Sequence, residues 1–273
     1  MLHILHLLNW LLPVIYLALL LDYGMAFFLK AKPRGRKACL PAALGLHLLF
    51  LVLLGLHLHR PIPQRNSEVL SILALSVAAV YTLVEHATRE RRTGMFMFLA
   101  VFLFQYTSSL FLFQPAPERT GEPLSPLHTL PALVAYTAFT ISAVLAALHL
   151  LAQRNLKRRQ VGVFFDRLPP LELLGRMSWN ALLVGFVFIS LAIATGAVAA
   201  ARARAAGAAF EGMDMKVLAK IVAGTAAWVI YAAAILGRYV GKWSAARISA
   251  IALYGFLAVM LLLVASIILS PTT

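Results

Sequence analysis

Eight stretches of the chain, each close to twenty residues long and nearly free of charge, decide what it can fold into: 4–28, 39–58, 69–85, 94–113, 128–151, 179–201, 215–236 and 248–269. Crossing the ~30 Å hydrocarbon layer of a bilayer takes about 20 mostly apolar residues in a helix. The third stretch is the shortest. The pattern predicts an all-α fold, a polytopic transmembrane bundle of about eight helices. Composition agrees. The 273 residues are 62% hydrophobic and 12% charged, about half the charge that keeps a soluble domain in water. No Lys or Arg precedes the first apolar run, MLHILHLLNWLLPVIYLALLL. It therefore reads as a retained helix rather than a signal peptide.

The formal net charge is +14. In a soluble protein that excess would point to nucleic acid. Here the positive residues sit in short loops, where they set topology and meet anionic headgroups, so no nucleic-acid partner is expected. Loops 29–38, 86–93, 152–178 and 237–247 hold most of the Lys and Arg, while the alternate loops hold few. Lys and Arg favour the cytoplasmic side. The rich loops are then inside, and an even number of spans places both termini outside, in a bacterial cytoplasmic (inner) membrane.

The Pro- and Gly-rich segment 115–127 divides the chain into a four-span half, 1–114, and a second four-span half, 128–270. The longest inner loop, 153–177, contains LPPLELL. Its proline pair breaks a helix, and a short amphipathic stretch is expected to follow along the headgroups.

Enzyme motifs are missing: there is no GxGxxG, P-loop, HExxH, GxSxG or CxxC. The single cysteine, Cys39, excludes an intrachain disulfide and haem attachment through CxxCH. Neither catalysis nor a metal other than a haem iron is expected. The acids Asp22, Glu85 and Asp214 lie near span ends, where interface or capping roles are favoured over proton relay. Histidine is more informative. His3, His6, His57, His59 and His128 fall at or near the outer face, and His86 and His149 near the inner. Only His47 is deep, ~12 Å from the inner boundary. A buried imidazole needs a partner. His47 is either a ligand to a metal or haem, or a hydrogen-bonded bridge between helices. His128 is either a ligand or a helix-start residue among headgroups. His57 and His59 read H-x-H, a spacing that does not share a helix face.

Four blocks in order carry a resemblance: LHTLPALVAYTAFTISAVLAALHLL, LPPLELLGRMSWNALLVGFVFISLAIATG, MDMKVLAKIVAGTAAWVIYAAAILGR and GKWSAARISAIALYGFLAVML. Together, over about 128–269, they resemble the cytochrome c assembly family of membrane proteins, the CcsA/HemX-like group. The first half resembles it more loosely, through LGLHLLFLVLL around His47. The resemblance implies haem as cofactor. It matches His128 to the family's first outer histidine and His47 to its buried one. Departures are as clear. The Trp-rich loop expected before Asp214 is ARARAAGAAFEGMD, Gly237 stands where the family has a histidine, and ILSPTT lacks the second outer histidine. The chain resembles a shorter branch of the family.

His47 and His128 differ in depth by roughly 15–18 Å, too far to share one iron. His57 and His59 share the depth of His128, so an outer-face haem site using His128 with His57 or His59 is expected, and Arg60, Arg65 and Arg119 lie in the same outer loops, where they would suit haem propionates. The sequence thus predicts a haem-binding inner-membrane protein, acting in or alongside cytochrome c assembly. Its partners would be the lipid bilayer and other cytochrome c or haem-biosynthesis proteins. The alternatives are a HemX-type regulator of a haem-biosynthesis enzyme, contacting it through loop 153–177, or a non-haem transporter subunit.

Overall fold

The computed structural model describes residues 1–29, 36–59, 65–114, 126–159, 162, 167–205 and 215–268. Among the described residues there are eight helices: α1 (Leu2–Leu29), α2 (Arg36–His57), α3 (Asn66–Thr88), α4 (Gly94–Phe111), α5 (Pro126–Lys157), α6 (Leu171–Ala205), α7 (Met215–Tyr239) and α8 (Ala245–Ile268). All eight are long and apolar enough to cross a membrane. The third span is longer than its apolar core suggests. It runs 23 residues and stops where Arg89 turns left-handed (φ 57°), its N–H bonded to the Glu85 carbonyl. Helices α5 and α6 have 32 and 35 residues, or ~48 and ~52 Å, more than a hydrocarbon layer needs. Part of that excess corrects an expectation. LPPLELL does not make a separate amphipathic stretch, because α6 begins at Leu171, directly after Pro169 and Pro170. Prolines suit a helix start, where the missing N–H would have no partner.

Residue contacts group the chain into two compact units, Met1–Pro115 with Leu148–Leu174, and Ala116–Ala147 with Gly175–Thr273. In the first unit α1 touches α2 and α4, and α3 touches the same two helices. The four form a closed up-down-up-down ring. Its seam on α1 repeats every seven residues, with Leu5, Leu12 and Leu19 in one row and Asn9, Tyr16 and Tyr23 in the other, all buried. Near the start of α1, Leu5, Leu8 and Leu12 pack on Phe50 and Leu54 of α2 and on Leu112 after α4. Near its end, Tyr23 packs on Phe98 and Tyr81, and Phe27 on Phe96.

In the second unit α5 and α6 run antiparallel with a tight register. Ser142 Oγ donates to the Ser178 carbonyl at 2.8 Å, and Ser178 Oγ donates back to the Ser142 carbonyl at 3.0 Å. Gly185 faces the Phe139 ring so closely that a Cβ there would lie 2.5 Å from it. The same ring stacks on Tyr231 of α7, with centroids 4.0 Å apart. Trp228 of α7 donates to Ser190 Oγ at 2.9 Å, and α8 packs on α7. Small residues and interhelical hydrogen bonds hold this unit, as expected where lipid removes the hydrophobic drive between helices.

Candidate functional site

His47 is fully buried in the first unit. Its Nδ1 meets Tyr16 Oη at 2.7 Å and its Nε2 meets Ser71 Oγ at 3.0 Å. Ser71 continues to Gln105 Oε1 (2.9 Å), Gln105 Nε2 to Ser109 Oγ (3.2 Å), and Ser109 Oγ to the Asn9 carbonyl (2.7 Å). The order of donors follows from the last link. Pro13, inside α1, has no N–H for the carbonyl four residues earlier, that of Asn9. A carbonyl only accepts, so Ser109 donates its one proton there. Ser109 Oγ must then accept from the Gln105 amide, which turns Gln105 Oε1 towards Ser71 and makes Ser71 the donor. Ser71 therefore accepts from His47 Nε2–H, and His47 Nδ1 accepts from Tyr16. Both imidazole nitrogens are committed. This is the helix bridge, spanning α1 to α4, that a histidine deep in a span admits. Only the buried position of His47 was visible in the sequence. A proline in mid-span signals a carbonyl needing a donor, but its partner lies on α4, almost a hundred residues on.

His128 is arranged differently. It lies in the first turn of α5 in the second unit, half-buried. Its Nδ1 is 2.8 Å from the Ala192 carbonyl of α6. That oxygen cannot donate, so Nδ1 carries a proton, and in the neutral ring Nε2 carries the lone pair. Nε2 has no hydrogen-bond partner among the described residues. Gly196, one turn beyond Ala192, makes room for the ring: a Cβ there would lie 2.9 Å from Nδ1. A histidine whose Nδ1–H is fixed by a backbone carbonyl, with Nε2 left open, is the usual form of a metal-ligating imidazole. As a donor this imidazole would suit a haem iron. Ala192 and Gly196 were not singled out in the sequence; the signal for them is the spacing of Ser178, Gly185 and Ala192 by sevens, which puts small residues on one face of α6.

His57 ends α2 and His59 follows it in the left-handed region (φ 51°). His57 lines a cavity of about 180 Å³ with Leu54, Arg65, Glu68 and Phe113. The Arg65 guanidinium donates to the carbonyls of Leu112 (2.9 Å) and Gln114 (2.7 Å) and so closes the end of α4. His57, His59 and Arg65 belong to the first unit and His128 to the second. Arg60 and Arg119 lie outside the described residues, as does Asp214. Glu85 does more than cap: it accepts from Tyr23 Oη and pairs with Arg91 at 3.0 Å. Among the described residues no three His, Cys, Asp or Glu side chains gather as a metal site.

The model of one family, described as cytochrome C assembly protein, matches residues 65–271. The match takes in α3 to α8 and His128, reaching further forward than the four blocks of the second half. Helices α1 and α2, with His47, precede it. No curated protein and no solved structure matches the chain.

Proposed function

The chain belongs to the cytochrome c assembly protein family, and on that premise we propose that it is a haem-binding membrane protein acting in or alongside cytochrome c assembly, with His128 as an axial ligand. The observation that carries this reading is the Nδ1–H···O=C bond from His128 to Ala192, which leaves Nε2 as an open lone pair. Haem would supply the iron that this nitrogen binds. The protein's own part is to fix the imidazole tautomer and ring plane through Ala192 and to leave the ring room at Gly196. His47 has no such opening, since Tyr16 and Ser71 take both its nitrogens.

The test is haem quantification with absorption spectra after purification in a mild detergent and reconstitution with haemin. Wild-type protein should give a stoichiometric complex with a histidine-type Soret band. His128→Ala should lose most of it, and His57→Ala/His59→Ala, measured beside it, tests whether either histidine supplies a second ligand. Gly196→Ala keeps the histidine but presses on it, and should lower occupancy by about tenfold, the scale on which supporting contacts of a metal ligand act. Equal haem content in wild type and His128→Ala would overturn the assignment.

A further inference from the structure

The turn joining α7 to α8 brings together three cations that have no carboxylate partner among the described residues. Arg238 lies over the Trp179 ring of α6, 4.2 Å from its centroid, and Arg247 lies over Trp243, 5.4 Å from its centroid. Both distances are within the range of cation–π attraction. Lys242 stands between them in the turn, in a left-handed conformation (φ 48°). All three are exposed. Among the described residues of this unit there is no Asp or Glu. The nearest carboxylate along α6 is Glu172, two turns before Trp179 and in the other unit. Neither guanidinium has a hydrogen-bond partner among the described residues, so the indoles orient them while their N–H groups stay open.

The turn is built rather than loose. Trp243 N–H bonds to the Gly237 carbonyl at 2.9 Å. Its ring folds back over Gly237, where a Cβ would collide with it. Tyr239 meets Trp179 edge-on at 6.0 Å. The turn separates two spans, Ile221–Tyr239 and Ala245–Leu262, and so lies at headgroup depth, where Trp, Tyr, Lys and Arg are at home.

We propose that this α7–α8 corner binds the headgroup of an anionic phospholipid, with Arg238, Lys242 and Arg247 holding the phosphodiester, the half-buried Trp243 lying against the glycerol and upper acyl region, and the buried Trp179 ring seating Arg238 from beneath. A neutral surface anchor would need the aromatics alone. Three unpaired cations, two of them held by rings, fit a negatively charged group.

The test uses the full chain, delipidated in a neutral detergent. Thermal midpoints are read while dioleoylphosphatidylglycerol, dioleoylphosphatidylcholine, inorganic phosphate or soluble polyglutamate is added. Phosphatidylglycerol should raise the midpoint saturably and the other three should not. Lys242→Gln/Arg247→Gln should weaken the apparent affinity roughly five-fold per cation removed. Lys157→Gln/Arg158→Gln, which removes equal charge from another loop, should leave it unchanged. Gly237→Ala keeps every charge but displaces Trp243, and should also weaken it. Native mass spectrometry of the wild type in mixed lipid gives a readout independent of any variant's folding, with phosphatidylglycerol retained over phosphatidylcholine. A response to phosphatidylcholine equal to that for phosphatidylglycerol, or an equal loss in Lys157→Gln/Arg158→Gln, would overturn the proposal. A response reproduced by phosphate or by polyglutamate would do so too, pointing to a free anion or an acidic protein partner.

Discussion

Pro13 withdraws a hydrogen bond from α1, and the first unit replaces it from α4. The Asn9 carbonyl freed by the proline takes the Ser109 hydroxyl, and that one commitment runs through Gln105 and Ser71 to set the His47 tautomer. In hydrocarbon an unpartnered carbonyl is costly, so neighbouring Ser and Thr hydroxyls commonly stand in. A double-mutant cycle tests the pairing. Ser109→Ala should cost about 1–2 kcal/mol in the native background, as an interhelical bond is lost and a buried carbonyl is left bare. In a Pro13→Ala background residue 13 regains its N–H, and Ser109→Ala should cost much less. Equal costs in the two backgrounds, read from unfolding in mixed micelles, would separate Ser109 from the proline. At this scale the sequence told which polar residues lie within spans but not how they pair. His47 had to find a partner. That it found two, Tyr16 and Ser71, depends on the ring of α1 to α4 bringing 31- and 24-residue separations into contact.

Elements were more legible than pairings, since length and hydropathy alone decide a span. The eight stretches became eight helices, each shifted at its ends by local chemistry: the Arg89 cap for α3, the proline pair for α6. The packing face of α6 was less legible, because Ser178, Gly185, Ala192 and Gly196 are unremarkable one by one. Seen on the helix, they form the small-residue stripe against which α5 lies, and the stripe fixes where His128 finds the Ala192 carbonyl. Gly185 carries the close approach. Phe139 has little freedom to yield to a new methyl group there, because its ring is stacked on Tyr231. Gly185→Ala should therefore destabilise the second unit by about 1–3 kcal/mol, seen as a lowered thermal midpoint. Ala192→Ser, which keeps the backbone carbonyl, should be far milder.

For the whole molecule, charge carries information that helix packing does not. Within the first unit the helices alternate, so the loop before α2 and the loop before α4, both rich in Lys and Arg, share a side. On the preference of Lys and Arg for the cytoplasm, we propose that the Lys- and Arg-rich ends of the spans are the inner ones, which would place Lys157 inside and Gln114 outside. Both are exposed at helix ends and so report orientation without disturbing a core. In a Cys39→Ser background, Gln114→Cys should react with a membrane-impermeant maleimide on intact spheroplasts, and Lys157→Cys only after the membrane is opened. The reverse pattern would invert the molecule. His128 stands at the opposite end of α5 from Lys157, so inversion would also move the proposed haem ligand to the cytoplasmic face. The labelling experiment therefore decides from which side of the membrane haem would have to reach His128.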